Sequence, residues 1–224
     1  MFNSIILTLA LAADAMVGDP PAWPHMVRLM GRTVECLEKS LRAALPRSLE
    51  LAGLILVLLV VGGSAVLTWT LLALAQAMWQ PLAWLLALIL SWQCLAAGQL
   101  WREAQAVYRP LEAGDMALAR QRLSMIVGRD TASLDQAGMR RALIETMAEN
   151  LNDGVIAPLF YIALFGPVGG VAYKAINTLD SMVGYKNQRY PRLGWCAPRL
   201  DDVAGWLPAR LSAWLLVAAA RLTG

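Results

Sequence analysis

The sequence predicts an all-α, polytopic helical membrane protein with one broken or re-entrant segment and a helical loop region on the cytoplasmic side. Three observations predict it. Hydrophobic residues fill 58% of the 224 positions and charged residues only 16%, against about 25% charged in ordinary soluble domains. Several apolar runs approach or exceed the roughly 20 residues that span a bilayer. One run is interrupted by glycine and proline too often for a plain spanning helix. The mean hydropathy of +0.51 agrees. A net charge of +3 lacks the concentrated basic face that nucleic-acid binding needs. Cys36, Cys94 and Cys196 form no CxxC pair, so neither a disulfide framework nor a zinc site is expected. The length suits a single integral membrane domain over residues 1–224.

The first apolar segment covers residues 2–17 and contains Asp14. It lacks a basic leader region and further apolar segments follow, so it reads as a retained membrane helix. A carboxylate inside it marks a functional site or a paired charge. The segments at 51–75 and 81–98 are uncharged and joined by a short link, which predicts a helical hairpin with Trp69, Trp79 and Trp84 near the interface. Residues 99–153 form the polar, helical loop. Asp115 is placed to cap a helix ending at Val127 before Gly128. Ser133 with Gln136 forms a capping box for the next helix. The segment at 155–171 is broken by Pro158, Gly166, Pro167, Gly169 and Gly170. The last apolar segment, 206–222, carries Arg210 and Arg221.

Charge sets the expected topology. Residues 18–50 hold five Lys/Arg, residues 99–153 hold seven, and the hairpin link holds none. The positive-inside rule puts both loops in the cytoplasm. Residues 173–199 hold five more. They stay on that side only if the segment at 155–171 is re-entrant or interfacial.

Five polar segments carry candidate chemistry. In DAMVGDPPAWPHMVRLMG (14–31) a proline-rigid turn can hold Asp19 and the single histidine, His25, beside a substrate; a structural role for His25 is an equal reading. In LSMIVGRDT (123–131) Arg129 can add a forked phosphate contact near a helix start, or merely pair on the surface. In ETMAENLNDGVIAPLFY (145–161), Glu145, Glu149 and Asn152 share a helix face with Asp153 just beyond. Such oxygen ligands suit Mg²⁺ and its phosphates; a solvated acidic face is the alternative. In YKAINTLDSMVGYKNQRY (173–190), Lys174, Asn177 and Ser181 share one stripe with Asp180 beside it, followed by Lys186 and Asn187. A basic patch for anionic lipid would account for the lysines but not for the Asn and Asp residues. In RLDDVAGWLPARL (199–211), Asp201 and Asp202 are metal ligands or helix caps.

Taken in order, these five segments resemble the adenosylcobinamide-phosphate synthase family, the amide ligases of cobalamin biosynthesis, from about Asp14 to Leu211. The departures from the family pattern, at Met26, Leu151 and Gly205, remove no charged candidate. Family members usually continue past the last motif through another stretch. The resemblance implies an ATP- and Mg²⁺-dependent ligation in the bacterial cytoplasmic (inner) membrane, on its cytoplasmic face. Adenosylcobyric acid would be joined to aminopropanol, or its O-phosphate, to give adenosylcobinamide or its phosphate. The corrinoid is then a substrate, and no tightly bound organic cofactor is expected. Catalytic roles fall to Asp180, Glu145, Glu149 and His25. Substrate or phosphate binding falls to Lys174, Asn177, Ser181, Lys186, Asn187, Arg129, Arg199 and Asp19. Metal binding falls to Glu145, Glu149, Asp153, Asp201 and Asp202. Partners would be the bilayer, both substrates and other late cobalamin-assembly enzymes, with no nucleic acid. A regulatory protein of the related β-lactamase-induction branch, or a transporter, are the rival classes.

Overall fold

A computed structural model describes residues 2–18, 20, 23–184 and 190–223. The described chain is helical, with no strand. Its helices are α1 (Phe2–Val17), α2 (Met26–Ala44), α3 (Leu49–Val57), α4 (Gly63–Met78), α5 (Gln80–Trp92), α6 (Ala97–Glu112), α7 (Met116–Ser124), α8 (Gln136–Leu151), α9 (Ala157–Val183) and α10 (Cys196–Thr223). A π-helical turn, Leu58–Gly62, joins α3 to α4, and another, Asn152–Ile156, joins α8 to α9. Four helical stretches of 30 to 48 residues are long and apolar enough to cross a membrane: Leu49–Met78, Gln80–Glu112, Gln136–Val183 and Leu193–Leu222. Trp69, Trp79, Trp206, Trp214 and Leu215 are exposed. So large an apolar surface calls for a solvent other than water.

The hairpin expected between the second and third apolar segments is present. Trp79 is extended (φ −166°, ψ 121°) and Pro81 stands in the first turn of α5, where its missing N–H costs nothing. The stretch 81–98 is not one helix, however. α5 stops at Trp92, and residues 93–96 turn the chain before α6. Long-range contacts hold this turn. The Gln93 side chain accepts from the Met26 amide at 2.9 Å and donates to the Pro24 carbonyl at 3.2 Å. The Ala96 amide donates to the Gly154 carbonyl at 2.9 Å.

Asp14 has a structural task. It is fully buried, and its Oδ2 accepts from the Gly98 amide at 3.1 Å. It therefore caps α6 from another helix, where the N-terminal dipole favours a negative charge. Gly98 allows the approach, since a Cβ there would lie 2.3 Å from the Asp14 carbonyl. Asp14→Ala leaves a buried donor without its acceptor and is expected to destabilise the protein by about 1–3 kcal/mol. Unfolding in detergent checks this: Asp14→Asn, which keeps an acceptor, should lose less.

α6, α7 and α8 form a satellite with its own core around Leu111, Leu123 and Met139. Asp115 caps α7 through the Leu118 amide at 3.0 Å, but the helix ends at Ser124 rather than Val127. Residues 125 and 126 bond back three positions, which tightens the chain out of the helix. Asp135, not Ser133, caps α8, accepting from Gly138 N at 2.7 Å. Arg120 holds the preceding loop out of the helix by donating to the carbonyls of Thr131 and Leu134.

The decisive element is the break in α9. Gly166 has φ 66° and ψ −162°, a region essentially reserved for glycine. Were 153–177 straight, Asp153 and Asn177 would lie about 36 Å apart at 1.5 Å per residue. Instead Asn177 Nδ2 donates to Asp153 Oδ2 at 3.3 Å. The Tyr161 and Tyr173 rings stack with centroids 5.1 Å apart. The chain thus reverses at Gly166, and α9 is a hairpin of two antiparallel arms that returns to its starting end. Gly169 and Gly170 let the arms touch; a Cβ at Gly169 would lie 2.6 Å from the Tyr161 carbonyl, and one at Gly170 2.4 Å from Ile162. The reversal agrees with a re-entrant segment and rules out a single straight span through Gly166.

Candidate functional site

The hairpin places Asp153 and Asn177 side by side, and α10 adds Asp201 and Asp202. Asp153 sits in the π-helical turn, where a residue is inserted into the helical register. Its Oδ1 accepts from Asn152 Nδ2 at 2.8 Å and from the Tyr173 hydroxyl at 3.5 Å. Asp153, Asp180 and Asp202 are close enough to Asp201 to repel its charge, while Asn177 donates a hydrogen bond to it. α10 is held to the hairpin by the Tyr161 hydroxyl, which donates to the Ala204 carbonyl at 3.0 Å. Two acceptor oxygens, Asn152 Oδ1 and Asp201 Oδ1, are buried without a hydrogen-bond partner among the described residues. The site is thus a group of four aspartates against a stacked tyrosine wall. Such a donor set can receive a hard cation or an ammonium group. No three His, Cys, Asp or Glu side chains among the described residues converge into a complete metal shell.

The remaining candidates are distributed around this centre. Lys174, Asn177 and Ser181 lie on the helical return arm of α9, as their spacing predicts. Lys174 is partly buried. Ser181 is exposed, and its hydroxyl donates to the Asn177 and Thr178 carbonyls of its own helix. Arg199 lies in the first turn of α10, donates to the Trp195 carbonyl at 2.6 Å and packs over the Trp195 ring. Glu145 is not gathered with the aspartates. It pairs with Arg129, both side chains about half exposed at 49% and 52%, so Arg129 meets a partner on α8 rather than the neighbouring Asp130. Glu149 is exposed on α8, one turn before Asp153. His25 caps α2, its Nδ1 accepting from Val27 N at 3.2 Å. Asp19, Lys186 and Asn187 lie outside the described residues. The polar run is anchored beyond them, where the Tyr190 hydroxyl donates to the buried Glu38 at 3.4 Å.

Sequence reasoning missed the tyrosine pair. Tyr173 is 1% exposed and opens the polar run, and Tyr161 closes the preceding motif. Their only signal was this position at two motif edges, separated by the glycine-rich break.

The fold and site together define an all-α membrane protein with an aspartate-rich centre built on a hairpin. The chain belongs to the CobD/Cbib protein family, which matches residues 7–223. It is 51% identical over 220 residues to "Cobalamin biosynthesis protein CobD" of Pelobacter propionicus, covering 98% of this chain and 68% of the relative. It is 47% identical to the protein of that name from Klebsiella pneumoniae, covering 95% and 67%. It is 45% identical to "Cobalamin biosynthesis protein CbiB" of Salmonella choleraesuis, covering 96% and 69%. No solved structure matches the chain.

Proposed function

We propose that this protein acts in cobalamin biosynthesis as an ATP-dependent amide ligase, joining adenosylcobyric acid to aminopropanol or its O-phosphate at the cytoplasmic face of the inner membrane. One observation carries the reading beyond family membership. The hairpin and α10 bring Asp153, Asn177, Asp180, Asp201 and Asp202, drawn from three separate motifs, to one place.

A carboxylate does not react with an amine until it is activated. An oxygen of the corrinoid propionate attacks the γ-phosphorus of ATP, ADP leaves, and an acyl phosphate results. The amine nitrogen then attacks the acyl carbon and inorganic phosphate leaves. The aspartate cluster binds the amine as its ammonium ion, and Asp180 takes the proton that must be lost before attack. Lys174 and Arg199, on the two helices that carry the aspartates, meet phosphate and corrinoid carboxylates. Mg²⁺ fits the donor set, because it accepts one or two carboxylates together with substrate phosphates. Asp153 and Asp201, with the open Asp201 Oδ1, would hold it, and it would offset the phosphate charge.

The test is direct. Detergent-purified protein is incubated with adenosylcobyric acid, Mg-ATP and either amine, and the corrinoid mass is followed. A gain equal to the amine minus water, with ADP formed in step, is expected. A corrinoid that never condenses while an active relative turns over refutes the ligase reading. A regulatory or transport role would then lead.

A further inference from the structure

Outside the aspartate centre, two cavities adjoin on α2. The first, of about 430 Å³, is lined by His25, Arg28, Arg32 and Gln93, with Met26 and Leu29. Residues 25, 28, 29 and 32 follow a helical stripe, so one face of the first two turns of α2 supplies this wall. Its frame is stiff: Gln93 grips the backbone on both sides of His25. Because Nδ1 of His25 accepts from Val27 N, the neutral ring carries its proton on Nε2, as a donor. The second cavity, of about 290 Å³, shares Met26 and Leu29. It is otherwise mostly apolar, with Leu59, Val60, Leu67, Leu71 and Leu90 on its walls beside Gly63 and the hydroxyl residues Thr33, Ser64 and Thr68. The π-helical turn contributes Leu59 and Val60, and a Cβ at Gly63 would meet nothing within 4 Å. Trp23 and Trp92 pack edge to face, 5.8 Å apart, at the basic end. Paired tryptophans of this kind suit the boundary between headgroups and acyl chains.

We propose that the joined cavities form a binding site for one anionic phospholipid, with its phosphate against Arg28 and Arg32 and an acyl chain along Leu59, Leu67, Leu71 and Leu90. Charge complementarity selects the occupant. A basic pocket that shares two wall residues with a largely apolar groove, beside helices able to cross a membrane, matches a molecule with a phosphate at one end and a chain at the other. A zwitterionic lipid would fill the groove without the net charge. A soluble phosphate would use the basic end and leave the groove empty.

The full-length protein is stripped in neutral detergent and titrated with mixed micelles of phosphatidylglycerol or of phosphatidylcholine with the same chains, and separately with inorganic phosphate. Retained lipid per protein and the thermal unfolding midpoint are read. Phosphatidylglycerol should bind at least tenfold more tightly than phosphatidylcholine and raise the midpoint, and phosphate should do neither. The double variant Arg28→Gln/Arg32→Gln should lose the tenfold preference. Gly63→Leu, which fills open space in the groove, should weaken both lipids and needs no basic residue to be altered. Equal binding of the two lipids, a double variant that keeps its preference, or protection by phosphate alone overturns the proposal. No measurement uses turnover, so the outcome is separable from the ligase reading.

Discussion

Gly166→Ala is expected to lower stability by at least 1–3 kcal/mol, the cost of forcing a side-chain-bearing residue into backbone space reserved for glycine. It should also abolish turnover in the ligase assay. The two effects share one cause. Gly166 reverses the chain at φ 66°, and Pro167 follows immediately, which restricts the preceding residue further. An arm that cannot reverse cannot bring Asn177 to within 3.3 Å of Asp153. Gly62→Ala is the control. Gly62 is already helical at φ −63°, ψ −44°, and a Cβ there meets nothing within 4 Å. It should be neutral or slightly stabilising, since glycine within a helix is unfavourable relative to alanine. Thermal unfolding of both variants in detergent decides the matter; Gly166→Ala unfolding no more readily than Gly62→Ala would remove the hairpin from the account.

Asp201→Asn should separate activity from stability. Asparagine keeps the shape and removes a carboxyl group whose charge its three neighbouring aspartates disfavour. Asp153, Asp180 and Asp202 all oppose the charge on Asp201, so the folded protein should be no less stable and can gain. Turnover should fall about 10²-fold or more, the scale expected when a charged group at a reacting centre is removed. Retained turnover would take Asp201 out of the site. Lost turnover together with a lower unfolding midpoint would make the carboxylate a structural one. Gathering charges that repel one another is a cost that folding alone does not explain, and this links the geometry to binding a cation.

Much of the architecture was legible in the sequence. The uncharged run 51–75 and its partner read as a hairpin because bilayer solvent imposes length and apolarity directly on local sequence. Asp115 was legible as a cap for the same local reason: its oxygen reaches an amide three residues away. Other local readings failed where a distant partner intervened. The run 81–98 looked continuous, yet Gln93 is drawn to Pro24 and Met26, and Ala96 to Gly154. Asp14 read as a functional site or a paired charge, and the amide that bonds it stands at the start of a helix 84 positions away.

The candidate centre shows the same division. The sequence by itself determined which carboxylates, amides and basic residues exist, that they cluster in five motifs, and that a glycine–proline break lies between two of them. It also determined that the chain needs an apolar solvent. Only the tertiary structure decided which of these residues meet. On a regular helix Glu145, Glu149 and Asn152 would share a face. Glu145 and Glu149 lie before the π-helical turn at Asn152–Ile156 and Asp153 lies within it, and Asp153 meets the returning arm while Glu145 pairs outward with Arg129. Periodicity holds only while the turn stays at i→i+4. The direction of the chain after Gly166 depends on one backbone angle and on the close contact that Gly169 and Gly170 permit. Packing of the two arms makes that choice; the local glycine–proline break and the charge count marked the segment only as re-entrant or interfacial.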